Sequence, residues 1–324
     1  MPRTLRSRRS FLHFAGAGAV AATLGTAACG STDSSGSGAP TVDVRYLDLS
    51  FAVPREPKRV VVMEGRGDLE FALLAGYPVV ATANAYDQGK RPSGQFAGRL
   101  GDDVTILAPA AGARPKAEEV LIHAPDLVVM RANAYRGDWY NNSQLSGATA
   151  ILAVEVNRPQ WREDMNAQLA AVGRTANAQQ YVADYDAKVA ATKRDLAGTL
   201  AGKRIAMVTT TGSKARGTVL VWAQTFGTAI GREIGMDVLF GDRQVDPSKG
   251  SFEASLENLD VLAGADLILH QDTDGSIADV QTWRTLPAVQ AGRVAKLNPQ
   301  YNNGLVLTAS ALVDDLAAAA QSLR

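Results

Sequence analysis

Residues 175–197 contain neither Gly nor Pro, and apolar or small side chains recur there at Ala178, Val182, Tyr185, Val189, Thr192 and Leu196. The spacing alternates between four and three, which places all six on one stripe of a helix. The other face carries Asp184, Asp186, Lys188, Lys193, Arg194 and Asp195 and reads as solvated. An uninterrupted helix of this length in mid-chain must bridge something, because the sequence on either side is built from shorter pieces.

Those pieces alternate between β-type runs and helical patterns. Residues 59–63 form a strand, ended by Gly65-Arg66-Gly67. Asp68 can N-cap a helix over 69–74, which stops at Gly76 ahead of Pro78. Residues 78–81 are the next strand. A helix over 116–123, with Val120 and Leu121 inward, breaks at Pro125-Asp126 before the buried strands 127–130 and 150–154. After the long helix, residues 203–208 echo 58–62. Residues 256–268 echo 117–129: each reads as helix, break, Asp, buried strand, with a Glu near the helix start. The expected fold is α/β, with two similar lobes built on parallel sheets, joined by one long helix, and a ligand cleft between them. The lobes cover 41–174 and 201–324, and the linking helix covers 175–200.

The first forty residues read as an address. Arg3, Arg6, Arg8 and Arg9 are the only charges before Cys29, and an Ala/Gly-rich apolar run from 14 to 24 follows them. Basic start, short apolar core and small residues before Cys29 make residues 1–28 a signal peptide. Ser7-Arg8-Arg9-Ser10-Phe11-Leu12 resembles a twin-arginine export motif. Ala27-Ala28-Cys29 resembles a lipobox, in which the Cys becomes a lipid-bearing N-terminus; Thr26 stands where Leu is usual. Residues 29–40 are a Ser/Gly-rich flexible tether. Cys29 is the only cysteine, which excludes an intramolecular disulfide and a multi-cysteine metal site. The whole chain has 33 basic and 33 acidic residues. Removing four arginines and no acid leaves 29 against 33, a net charge of about −4. No basic excess exists to hold nucleic acid.

From about Pro54 onward the chain resembles the substrate-binding proteins of ABC importers, of the iron-siderophore and cobalamin type. The matching stretches are Pro57-Lys58-Arg59-Val60-Val61-Val62 with Asp68-Leu69-Glu70, residues 118–130, Ser255-Leu256-Glu257-Asn258-Leu259 with Ala265-Asp266-Leu267-Ile268, and residues 283–294. The resemblance implies two lobes that close only slightly about a helical bridge. It implies capture of a ferric siderophore for an ABC permease and its ATPase, with cobalamin or haem as alternative cargo. It implies a monomeric, non-enzymatic protein with no cofactor, since iron arrives already chelated. Lipid on Cys29 would hold it on the outer face of the cell membrane. Glu118 and Glu257, one per lobe, match family positions that pair with permease Arg residues.

Ligands of parallel α/β sheets bind beyond the carboxyl ends of strands. Residues just after the strands are therefore the binding candidates: Arg66, Tyr86, Arg91, Arg131, Trp139 and Tyr140 in the first lobe, and Arg216, Trp222, Phe226 and Tyr301 in the second. Aromatic surface and Arg or Tyr donors suit a large chelate, and the several Arg lean towards an anionic one. Glu64, Asn84, Lys214, His270, Gln271 and Asn302 occupy similar places. A zinc or manganese receptor would need more ligands than His123 and His270. Asp272-Thr273-Asp274-Gly275 lacks the closing Glu of a calcium loop. An exported hydrolase is the enzyme alternative, but the chain has no G-x-S-x-G or HExxH motif.

Overall fold

Val60, Val61 and Val62 have no solvent exposure, so the strand they form is covered on both faces. That is the environment of a central parallel strand between helical layers. The computed structural model describes residues 40–85, 89–92, 94–107 and 114–324. The expected signal peptide, Cys29 and nearly all of the expected tether lie outside the described residues.

The chain enters through an antiparallel hairpin, β1 (Thr41–Tyr46) and β2 (Leu49–Pro54). The first lobe then lays down β3 (Val60–Val62), β4 (Val79–Ala83), β5 (Thr105–Leu107), β6 (Leu127–Arg131) and β7 (Ala150–Val154). They pair in the order β5-β4-β3-β6-β7, all parallel. The chain runs outward from β3 and returns to β6, so the strand order reverses between these two.

The 22-residue helix Gln179–Leu200 follows, entered through a 3-10 turn at Thr175–Ala178. At 1.5 Å per residue it is about 33 Å long. Ala178, Tyr185 and Leu196 are buried, and Val182, Val189 and Thr192 are half-buried, so the stripe read from the sequence is the packed face.

The second lobe contains β8 (Arg204–Thr209), β9 (Thr218–Trp222), β10 (Asp237–Val238), β11 (Ser251–Ser255), β12 (Leu267–Gln271) and β13 (Val294–Lys296). Its sheet runs β11-β9-β8-β12-β13, with β10 beside the start of β8. The β8, β12 and β13 core is parallel, and the order reverses between β8 and β12 as it does between β3 and β6. The expectation of a parallel sheet needs one correction here. β9 is antiparallel to β8, and β11 to β9. Residues 210–217 return the chain tightly at the top of the sheet instead of crossing over through a helix.

The echo between 117–129 and 256–268 also holds only in part. The first copy has a helix at Ala117–Leu121. The second has a turn and then a 3-10 segment at Leu259–Leu262. The C-terminal helix Val306–Ala320 packs against the linking helix and touches helices of both lobes.

Candidate functional site

The two order reversals define where a ligand can meet both lobes, because strand ends diverge there and leave a crevice. In the first lobe, Glu64 follows β3 and Arg131 ends β6. Arg131 donates to Glu64 Oε2 from Nε at 2.7 Å and from Nη2 at 2.6 Å. Tyr140 donates its hydroxyl to Glu64 Oε1 at 2.9 Å, and Arg66 Nη1 lies 3.7 Å from the same carboxylate. Asp68 shapes the turn that delivers these groups. Its carboxylate accepts the backbone N–H of Glu64, Arg66 and Leu69 at 2.9–3.0 Å. The helix therefore starts at Gly67, and Asp68 sits inside it rather than capping it. Gly65 has φ +66°, and a Cβ there would lie 1.9 Å from the Ala83 carbonyl oxygen, so the turn requires glycine.

These groups are all buried. Two guanidiniums and two carboxylates share the space. Burial first, and the neighbouring Glu64 second, push the Asp68 carboxyl up from its ordinary 3.8 to about 6.

In the second lobe, Thr210 follows β8, and His270 and Gln271 end β12. Thr210 Oγ1 lies 3.1 Å from His270 Nδ1, and the ring tilts against Trp283 at 5.6 Å. Burial holds the His270 pKa below its usual value. A hydrogen-bonded chain joins the two crevices. Arg66 donates to Asn302 Oδ1, which also accepts from Asn303 Nδ2 at 2.7 Å, while Asn302 Nδ2 reaches Gln271 Oε1 at 3.4 Å. The backbones meet beside it, where Gly304 N–H donates to the Val156 carbonyl at 2.8 Å.

Next to this junction a cavity of about 740 Å³ opens between the lobes. Asn133, Arg136, Glu155, Asn157 and Arg158 line it from the first lobe, and Gln224, Ser248 and Lys249 from the second. The volume is that of a small-molecule pocket. Arg136 pairs with Asp48 at 2.5 Å and with Glu155 at 3.5 Å, and Arg158 with Asp164 at 3.5 Å. The wall is rich in hydrogen-bonding groups, and its arginines are matched by carboxylates. The arginines behind the sequence's lean towards an anionic ligand are different ones: Arg66 and Arg131 share the Glu64 carboxylate, and Arg91 bonds backbone carbonyls.

None of the sequence-derived candidates is among the described residues that line this cavity; they divide between the buried cluster beside it and other places. Arg66, Arg131 and Tyr140 form the first-lobe cluster. Tyr301 is buried beside the connecting chain, its hydroxyl against Gly94, where a Cβ would come within 2.9 Å. Trp139 is half-buried, with the Arg114 guanidinium 4.0 Å over its ring and that of Arg131 at 5.5 Å. Trp222 is buried and donates its indole N–H to Thr209 Oγ1 at 2.9 Å. Arg216 is exposed on the short helix Ser213–Arg216 after β8.

Two candidates are occupied elsewhere. Phe226 is fully buried and packs edge-on to Trp161 at 6.0 Å. Arg91 spends its guanidinium on the carbonyls of Leu100, Gly101 and Val104. Tyr86 lies outside the described residues.

Glu118 and Glu257 are both exposed. The Gln144 side chain donates to Glu118 at 3.0 Å and lowers its pKa. Glu257 stands on the turn after β11, with its backbone N–H on Ser255 Oγ.

Sequence reasoning missed Glu155, Asn157 and Arg158, although they directly follow β7. The strand-end rule, applied to residues 150–154 as it was to the other strands, finds them.

A family model described as "Periplasmic binding protein" matches residues 99–301. The chain is 25% identical over 292 residues to the iron(3+)-hydroxamate-binding protein FhuD of Bacillus subtilis strain 168, covering 84% of this chain and 86% of that one. Among solved structures it is similar to Staphylococcus aureus SirA complexed with staphyloferrin B, with TM-score 0.64, 20% identity, and coverage of 86% of this chain and 98% of that one. It is also similar to FhuD2 of Staphylococcus aureus with bound ferrioxamine B, with TM-score 0.61, 14% identity, and coverage of 83% and 100%.

Proposed function

The chain belongs to the periplasmic binding protein family, and from that premise we propose that it captures a ferric siderophore outside the cytoplasm and hands it to an ABC permease. The observation that carries this reading is the interlobe cavity beside two facing strand-order reversals. The FhuD relative, named for iron(3+)-hydroxamate, supports the substrate class. Among the described residues no group of three His, Cys, Asp or Glu side chains is gathered to hold a metal ion. Iron is cargo here, already enclosed by its chelator, and the protein's task is recognition.

Charge refines the substrate. A tris-hydroxamate neutralises Fe³⁺, whereas a tris-catecholate leaves a strongly anionic complex. A wall whose arginines are offset by carboxylates suits the neutral chelate, because an uncompensated anion would meet no net positive field. Arg66, Arg131, Trp139, Tyr140, Arg216, Trp222 and Tyr301 remain proposed contributors, the buried ones by shaping the crevice. Titration calorimetry with ferrichrome, ferrioxamine B and a ferric tris-catecholate is expected to show binding of the hydroxamates with the catecholate weaker. Binding of haem or cobalamin with no response to any ferric siderophore would overturn the assignment.

Residues 1–28 are proposed as the export signal, Cys29 as the lipid-bearing residue, residues 29–40 as the tether and the working protein as a monomer. Glu118 and Glu257 are proposed to dock one lobe each on the permease. In cells, Glu118→Ala with Glu257→Ala is expected to abolish ferric-hydroxamate uptake while leaving chelate binding by the purified protein intact. A Cys29→Ser protein should leave the membrane fraction. Normal uptake by the double variant, or continued membrane partition without Cys29, removes the respective assignment.

A further inference from the structure

Tyr46 pairs with Leu49 across the entry hairpin, so Leu47 and Asp48 form a two-residue loop. Leu47 has φ +52°, while Asp48 is not among the residues with positive φ. Tight hairpin loops place Gly, or Asn, at a first loop residue of this kind, since a branched side chain crowds the backbone there. Leu47 is also 54% exposed, one of two large hydrophobic side chains left open among the described residues. Such a residue is unfavourable on both counts, through its backbone and through its solvation. A strained position that persists is held by its surroundings and points to a use.

The surroundings are visible. Arg136, on the helix after β6, holds both carboxylate oxygens of Asp48, at 3.2 Å from Nε and 2.5 Å from Nη2. It also reaches Glu155 at 3.5 Å. Tyr46 donates its hydroxyl to Asp164. The loop is thus tied to the first lobe on both sides, and Leu47 lines the interlobe cavity across from Gln224 and Lys249. Among the described residues that line this cavity, Leu47 is the one open-chain aliphatic side chain.

We infer that Leu47 is a ligand-contacting residue, which packs on the hydrocarbon spacer of the bound chelate, and that Asp48 and Arg136 position it. The inference rests on the siderophore reading above. A hydroxamate chelator links its iron-binding groups through methylene chains or a peptide ring, and those apolar parts face outward from the metal. Burying a partly exposed Leu against them adds affinity without charge.

The test separates contact from structure. Leu47→Gly and Leu47→Asn both fit the left-handed loop better than Leu. Each is therefore expected to melt at the native temperature or above it, yet to bind ferrioxamine B and ferrichrome about five- to tenfold more weakly. Calorimetric Kd and Tm are measured together on the exported protein. If the unaltered protein binds and both variants keep its Kd, the inference fails alone. If Kd and Tm worsen together in both, Leu47 is structural and the inference also fails. If the unaltered protein binds neither chelate, the substrate reading falls and takes this inference with it.

Discussion

Glu64→Ala is expected to lower the unfolding free energy by about 3–5 kcal/mol and to abolish chelate binding. Glu64 is the centre of the first-lobe cluster: it accepts two guanidinium bonds from Arg131 and the Tyr140 hydroxyl. Arg131 is only 6% exposed, so without Glu64 its charge stays buried with Asp68 as the nearest counter-ion. Taking the carboxylate away leaves the buried guanidiniums of Arg66 and Arg131 against the single carboxylate of Asp68, and that imbalance, rather than the lost bonds, sets the cost. A Glu64→Ala/Arg131→Ala double variant should accordingly be no less stable than the weaker single variant. The pH dependence has a defined sign. Asp68 binds its proton more tightly folded than unfolded, so its contribution to stability is fully present below about pH 4 and is lost as pH rises through about 6. Glu64 is the second cause of that raised value, so Glu64→Ala should flatten this part of the profile. Urea melts on both sides of pH 6 check both statements. Additive single-variant losses with an unchanged slope would show that the cluster is not coupled.

The dependence of this site on Glu64 marks a boundary between what is legible in the chain and what is not. The strand holding Val60 could be read because three adjacent β-branched residues between Pro57 and Gly65 favour a short strand over a helix. The linking helix could be read because its stripe repeats through five intervals without Gly or Pro. Strand ends were therefore known, and with them Arg66, Arg131 and Tyr140. The reversed direction of β9 and β11 was not. Thr218–Trp222 has the composition of any buried strand, and its orientation depends on the tight return through residues 210–217, which has no periodic signature. The echo at Glu257 suggested a helix like that of Glu118. There Asn258 and Asp260 favour turns, because their side chains compete for backbone groups, and the segment closes as 3-10. Phe226 looked like a strand-end aromatic. It is the first residue of a helix capped by Thr225 and Thr228, and this cap turns it inward onto Trp161. Asp48 and Glu70 carry no local signal at all, because each finds its partners far along the chain.

Glu70→Ala is expected to be comparably severe, with a loss on the order of 3–6 kcal/mol, because it strips the start of the C-terminal helix of its cap. Helix Val306–Ala320 begins after Leu305, which offers no capping side chain. Its first N–H groups turn instead to Glu70, on the first-lobe helix Gly67–Leu74. Glu70 accepts Leu305 N–H at 2.8 Å, Leu307 N–H at 2.5 Å, Thr308 N–H at 3.3 Å and the Thr308 hydroxyl at 2.5 Å. The carboxylate is fully buried, so its removal strands three amide donors, each costing about 1–3 kcal/mol before the site relaxes, while the Thr308 hydroxyl can rotate. Burial raises the Glu70 pKa, while these hydrogen bonds and the positive end of the helix dipole favour its ionised form. Because the donors and the acceptor are more than 230 residues apart, this cap also ties the C-terminal helix to the first lobe. Glu70→Gln keeps the shape and one acceptor oxygen but turns an amide N–H₂ towards the helix donors. It should fall between the native protein and Glu70→Ala. Hydrogen exchange at Leu307 and Thr308 reads the effect locally: both amides should lose protection in Glu70→Gln before the protein unfolds globally. If their protection instead tracks global stability in every variant, Glu70 does not act as the cap.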